Sequence, residues 1–562
     1  MDSPVPPAVR SMSWTHNGNA RRGQAFLARG GALRGLERRN YMQAAATIPS
    51  HLSISANAAR LQLENLERFG TYTRLHYEGR SYTNAEELQH AGRLAHVLRE
   101  RRVVPGDRVV VLMANSPDLT ACFQAILTIG AVMSPVMPQW TAAEVGHILQ
   151  NSGASVVLTE PALAARVREA ARGVDTLKHC LVFGETDLEG MQNIAPQMAE
   201  CATVEAPVNR SPEDLAMLLY TSGTTAKPKG VMITHGNVAA AVNSASQRNP
   251  DMPRHPMLHV LPLTHSFGLM MLKLANAWGC ASVLVPQFDP VRIFEIVERH
   301  QVGYLPVVPT MLVYLLQHPE RTKFNLSSLY RVTIGGAALP EKLRSEFQKV
   351  FPCRVEQGYG LSESVAIASG YDDHEAYRPG SAGRPLPGIE VHIVDEWNRP
   401  LPPCRAGEIC LMGANITPGY WQDASATHEA FRGGWFHTGD IGYLDDDGYL
   451  HITDRKKDLI VKGGENISPR EIEETIYLHP AVAEAAVVGI PDEVFGEEIC
   501  AVIQLRPGTQ LSDEDIRCHV AQHLTKFKMP HRVVFQAALP KNSTGKIQKR
   551  AIRELFAKSE AA

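Results

Sequence analysis

The ten residues from Thr221 to Gly230, TSGTTAKPKG, hold three Thr, one Ser, two Lys and two Gly, with no acid and no large apolar side chain. Small residues let backbone N–H groups come close to an anion, hydroxyls donate to its oxygens, and lysines neutralise it. Such a loop can hold a polyphosphate, with Thr221, Ser222, Gly223, Thr224, Thr225 and Lys229 as its contacts. The alternative is a surface turn, and the flanks argue against it. LAMLLY (Leu215 to Tyr220) reads as a buried strand entering the loop, and VMITH (Val231 to His235) as a second strand leaving it. The spacing also fails GxxxxGK[ST], because Pro228 stands five residues beyond Gly223. The loop is therefore a phosphate loop between two strands, unlike that of the P-loop NTPases.

This stretch resembles TSGTTGxPKG, the most diagnostic loop of the acyl-adenylate-forming enzymes. That family includes acyl-CoA synthetases, non-ribosomal peptide adenylation domains and firefly luciferase. Ala226 stands where Gly is usual; if the backbone there needs φ > 0, Ala costs about 1 kcal/mol.

The resemblance runs from about Tyr72 to Ile552 and implies roles for further residues. QGYGLSES (Gln357 to Ser364) is similar to the hallmark YGxTE. Gly358 and Gly360 allow close backbone approach, Tyr359 offers a face to adenine, and the Ser362 hydroxyl reaches phosphate. Glu363 with Thr221 is the expected Mg2+ pair, since that hard cation prefers carboxylate and hydroxyl oxygen. GGAALP implies adenine contacts at Gly335, Gly336 and Ala337. Between Gly434 and Pro469, Asp440 is the candidate for the ribose hydroxyls, because one carboxylate can accept both. Arg455 fits a second ribose or phosphate contact, and Lys457 aligns with the family's hinge residue. Gly463 and Gly464 imply a bare backbone edge for pantetheine. In PKNSTGKIQKR, Lys546 aligns with the lysine that touches both the substrate carboxylate and the α-phosphate. His265 in LPLTHSFGL aligns with a histidine that borders the acyl pocket, with Phe267, Gly268, Val308 and Thr310 as further lining candidates.

The implied activity is ligation of a carboxylic acid to coenzyme A. ATP and Mg2+ convert the acid to acyl-AMP, and the CoA thiol then displaces AMP. A medium- or long-chain fatty acid is the expected substrate, because LPLTHSFGL and GYLPVVP carry no acid, Lys or Arg to pair with a polar acyl tail. An aryl acid is the alternative, and a separate carrier protein or an amine is the alternative acceptor. A non-catalytic nucleotide sensor is a reading from another class, but it would have no need of Lys546, Glu363 and Asp440 together.

Positioning these residues takes more than one core. At 562 residues the chain exceeds a single ordinary domain. Short apolar runs, RVVVLM (Arg108 to Met113), SVVLTE (Ser155 to Glu160), VLVPQF (Val283 to Phe288) and GYLPVVP (Gly303 to Pro309), alternate with helical patterns near Asp118 and from Arg292 to His300. GYLDDDGYLHI (Gly442 to Ile452) reads as a hairpin. Beyond the charged run DRKKD, Ser468, Pro469 and Glu471 read as the capped start of a helix. The expected fold is α/β, a large N-terminal adenylate-forming domain with parallel-type sheets and a small mobile α+β C-terminal domain. Boundaries are expected at 1–50 for a tail, 51–456 for the large domain and 457–562 for the small domain carrying Lys546.

A net charge of −3 gives no reason to expect nucleic acid as a partner. Nine cysteines without a CxxC pair read as reduced thiols. No apolar run reaches the length of a membrane helix, and a homodimer is left open. The first fifty residues hold seven Arg, no Lys and two acids. That composition resembles a transit peptide and implies mitochondria. A plain tail, or a start at Met42, implies the cytoplasm.

Overall fold

Strand signals and helix caps divide the computed structural model, which describes residues 55–201, 206–221, 228–542 and 545–559, into two parallel sheets, an antiparallel sheet and a terminal α+β unit. Ser222 to Lys227, and with them Ser222, Gly223, Thr224 and Thr225 of the phosphate loop, lie outside the described residues, as does the Arg-rich N-terminal segment.

The run at Arg108 forms the strand Arg108–Leu112, flanked in parallel by Val132–Val136 and Val156–Thr159. Val109 to Leu112 are fully buried, as a strand covered on both faces by helices requires. This seven-stranded sheet ends with Leu215–Thr221 and Lys229–Thr234, its antiparallel pair. That pair brackets the phosphate loop. The helix expected near Asp118 is Pro117–Thr128; Ser116 Oγ accepts from the Leu119 N–H at 3.2 Å, and Pro117 fills the first turn.

The second seven-stranded sheet carries Met257–His259, Ser282–Leu284, Tyr304–Val307, Arg331–Ile334 and Arg354–Gln357 in parallel. The run at Val283 ends as a strand at Leu284, and Pro286, which has no N–H, cannot extend the ladder. Strands of this sheet end at loops that begin with Gly335 and Gly358. Four antiparallel strands follow, among them the expected hairpin, Phe436–Leu444 against Leu450–Arg455.

From Ile460 onward the chain builds its own sheet, mainly antiparallel, with Val482–Asp492 beside Gly496–Leu505 and helices packed against it. The helix Pro469–Tyr477 starts at Ser468. Ser468 Oγ accepts the Glu471 N–H at 3.4 Å and donates to Asp454 at 2.8 Å. The Glu471 carboxylate pairs with Lys528 at 2.5 Å, so a tertiary partner has claimed the side chain that the capping pattern assigned locally. The architecture is a mixed α/β protein with a large N-terminal domain of parallel sheets and a smaller C-terminal domain. All nine cysteines are free thiols. Among the described residues no helix is long and apolar enough to cross a membrane.

Candidate active site

A cavity of about 990 Å³ opens where the strand Leu215–Thr221 ends, and Thr221 lines it. Across it stand the loops after the two strands of the second sheet. Gly335 and Gly336 come from one, and Gly358, Tyr359 and Gly360 from the other. Gly360 has a packing reason of its own: a Cβ there would lie 2.2 Å from the Ala366 carbonyl oxygen. Gly336 has φ +76°, which favours glycine. A Cβ on Gly358 would meet only the Ser369 carbonyl, at 3.5 Å, so that edge stays open. Ser362 donates its hydroxyl to Ser266 Oγ at 3.2 Å.

Asp440 is buried and holds two partners at once. The Tyr359 hydroxyl donates to Oδ2 at 2.7 Å, and Arg455 Nε lies 2.9 Å from Oδ1. The antiparallel register that pairs Asp440 with Arg455 brings this ion pair together. Burial, followed by the Asp440 carboxylate, pushes the Tyr359 phenol well above its ordinary value. Asp440 lines not the large cavity but a neighbouring one of about 250 Å³, together with Ala337, Val308, Thr310 and Lys546.

Glu363 faces the larger cavity, and its Oε1 accepts the Tyr420 hydroxyl at 2.9 Å. Burial raises the Glu363 carboxyl above its usual range. Tyr420 was not singled out in the sequence; it lies 57 residues away and meets Glu363 only in the fold. The same ring lies 5.6 Å from Lys229 Nζ, which also stands 3.4 Å from Asp423. Lys229 lines neither cavity.

Lys546 arrives from the other end of the chain and lines both cavities. Its N–H donates to Asn542 Oδ1 at 2.8 Å, and its carbonyl accepts the Asn542 N–H at 2.8 Å. Gly545, at φ +83°, turns the chain against Thr310, whose hydroxyl donates to the Gly545 carbonyl at 3.1 Å. A Cβ there would stand 2.9 Å from Thr310 Oγ1. Burial first, and then the Arg455 cation, lower the Lys546 amine to about 8. Burial first, and then the Lys546 cation, bring His265 down to about 4, so its imidazole is neutral near pH 7. His265 Nδ1 accepts the Phe267 N–H at 3.3 Å at the start of the helix Ser266–Trp278.

Lys457 lines the large cavity, and its carbonyl accepts from Arg553 at 3.4 Å. Gly463 and Gly464, with φ of +57° and +85°, turn between Ile460–Lys462 and Glu465–Ile467 and line neither cavity. Lys546 is thus at the site while the double-glycine turn is elsewhere. Of the acyl-lining candidates, Phe267 faces the large cavity, with Gly335 against its ring. Gly268 packs on Pro262, where a Cβ would be 2.3 Å from the carbonyl oxygen, and lines neither cavity. Val308 and Thr310 line the smaller cavity, on the Lys546 side. Met252, Met257, Met271, Leu274 and Trp278 supply apolar wall that the sequence did not reveal, and Arg331 and Glu356 supply a polar stretch. A signal for those two was present: a charged residue inside an otherwise buried strand, as in RVTI and RVEQ, must face something polar.

The AMP-binding enzyme family matches residues 63–421, and the AMP-binding enzyme C-terminal domain matches residues 471–546. A long-chain-fatty-acid–CoA ligase of Bacillus subtilis is 32% identical over 521 residues, covering 87% of this chain and 93% of the relative. A feruloyl-CoA synthase of Amycolatopsis is 35% identical over 490 residues, covering 86% and 96%. Among solved structures, an anthranilate CoA ligase in complex with anthranoyl-AMP superposes with a TM-score of 0.85 at 25% identity, covering 91% of this chain and 100% of that one.

Proposed function

The chain belongs to the AMP-binding enzymes, as an adenylate-forming acid–thiol ligase of the acyl- and aryl-CoA ligase kind, and we propose how its residues divide the two half-reactions. In the first, a carboxylate oxygen attacks the α-phosphorus of ATP and pyrophosphate leaves. Lys546 neutralises the charge that builds between the two anions as they meet. Asp440 accepts from the ribose hydroxyls while Arg455 and Tyr359 hold it in orientation. Thr221 and the loop that follows it carry the phosphates. His265, neutral near pH 7, sits beside the carboxylate without adding a second cation that would repel Lys546.

The residues fit a Mg2+ ion. Glu363 and Thr221 both line the large cavity and offer hard oxygens, and the nucleotide's own phosphates would complete such a site. Among the described residues no group of three or more His, Cys, Asp or Glu side chains forms a protein-only cage. Bound there, the ion would neutralise phosphate charge.

In the second half-reaction the CoA thiol attacks the acyl carbonyl and AMP leaves. The domain from 457 to 562 turns about Lys457, withdrawing Lys546 and bringing the Gly463–Gly464 edge to the pantetheine arm. The acid has an apolar body, alkyl or aryl, that fits the Met- and Trp-lined wall. One observation carries the reading: Lys546, from near the C-terminus, shares a single cavity with Thr221, Tyr359, Glu363 and Arg455 from the large domain. Pyrophosphate release on adding ATP and an acid, followed by CoA-dependent release of AMP, tests it. Pyrophosphate release with no effect of CoA would transfer the acyl group to another acceptor.

A further inference from the structure

The acyl end of the large cavity is not uniformly apolar. Arg331 and Thr333 lie two residues apart on Arg331–Ile334 and therefore share a face. Glu356 is the register partner of Thr333 on the adjacent parallel strand, and all three line the cavity. Arg331 and Glu356 are only 4% and 5% exposed, so they are taken out of bulk water. Arg331 Nη1 stands 3.4 Å from Glu356 Oε1 and 3.4 Å from Asn249 Oδ1. Both contacts are longer than a good N–H···O bond. The cluster's charges are matched: Arg331 also reaches Asp373, and Arg354 Nε lies 2.6 Å from Glu356 Oε2.

The strands run toward Gly335 and Gly358, where the nucleotide loops begin. Arg331 is four residues before Gly335, which at a rise of about 3.3 Å per residue sets it about 13 Å down the strand. A carboxylate held beside Lys546 would have its body along the Met and Trp side chains and its far end at this polar patch.

We propose that the acid activated here carries a hydroxyl at its distal end, accepting from Arg331 and donating to Glu356, with the Thr333 hydroxyl alongside. The inference rests on the ligase reading and names its substrate class. A methyl end would cover a buried Arg and Glu with hydrocarbon and leave their long contacts unimproved. A second carboxylate would meet Glu356 and Asp373, whose charges Arg331 and Arg354 already match. A neutral group that both accepts and donates suits the pair. Three methionines in the wall adapt to an alkyl or an aryl body.

The test is pyrophosphate release by the full chain with ATP and Mg2+ on two matched pairs, para-hydroxycinnamate against cinnamate and ω-hydroxydecanoate against decanoate. The hydroxylated member of at least one pair should have a kcat/KM at least about tenfold higher, since a site built to bond a hydroxyl rejects the analogue without it. In Glu356→Gln that ratio should fall several-fold; being internal to one protein, it is insensitive to a loss of folded enzyme. Ratios of one or below in both pairs overturn the proposal, as does an unchanged ratio in Glu356→Gln. Activation of some other acid but of neither pair also overturns it and leaves the ligase reading standing. If no acid releases pyrophosphate, the ligase reading fails and this inference fails with it.

Discussion

The two ends of the large cavity are built in different ways. At the end proposed for the nucleotide the lining residues come from loops: Thr221 at a strand end, Gly335 and Gly336 after one strand, Gly358 to Gly360 after the next, and Lys546 on a turn. Each is a short local pattern in which small residues expose backbone and one polar side chain does the chemistry. At the end proposed for the acid the walls are side chains that alternate along strands or recur along the helix Ser266–Trp278, with Met271, Leu274, Tyr304 and Arg331 each from a regular element. Adenylation makes the same demands whatever the acid, so its residues can sit in a recognisable string. Specificity is assembled from single positions on several elements, each of which must also serve the core.

Removing Lys546 should break the nucleotide end most severely. Lys546→Ala should cut acyl-AMP formation by about 10²- to 10³-fold, the usual cost of losing one preorganised contact to a developing charge. Thioester formation from supplied acyl-AMP should stay near the wild-type rate. Equal loss in both half-reactions would refute a role confined to the first.

Changing pH should act through the same residue. A lysine is charged below its pKa, and burial lowers Lys546 to about 8. The cation is therefore present at neutral pH and is lost as pH rises through that value. The kcat/KM of adenylation for ATP should fall about tenfold per pH unit above it. Lys546→Arg should have a lower plateau but no such alkaline limb, because a guanidinium does not deprotonate there. A wild-type profile flat to about pH 9 would show that the amine's burial is relieved before chemistry.

The acyl end should respond more gently and in a different quantity. Met271→Phe adds volume where a buried side chain already lines the cavity. It should lower kcat/KM for the longest accepted acid by about five- to tenfold, while the KM for ATP moves less than about twofold. A comparable rise in the KM for ATP would mean that the two ends are not separable.

How far the sequence could be read follows the same division. The strands on either side of the phosphate loop, the helix near Asp118, the Ser468 helix cap and the hairpin from Gly442 to Ile452 were legible, because each depends on residues within a few positions of one another. Val308 and Thr310, expected beside the acyl group, line the smaller cavity together with Lys546. Gly268 was expected to line the pocket and instead packs on Pro262. Neighbours in sequence face opposite ways on a strand and about 100° apart on a helix, and which face meets the cavity is set by the elements packed on the other side.

By itself, then, the sequence determined that the chain has an adenylate-forming α/β architecture, and it pointed to the short segments proposed for the nucleotide chemistry, because backbone approach and phosphate neutralisation need residue types at close spacing. Only the tertiary structure decided that Tyr420 meets Glu363, that Lys229 stands by Asp423, and that Arg331 and Glu356 line the same cavity as the Met and Trp side chains. Those are contacts between side chains far apart in sequence. Their distances depend on strand register and helix packing, which no local pattern of residues encodes.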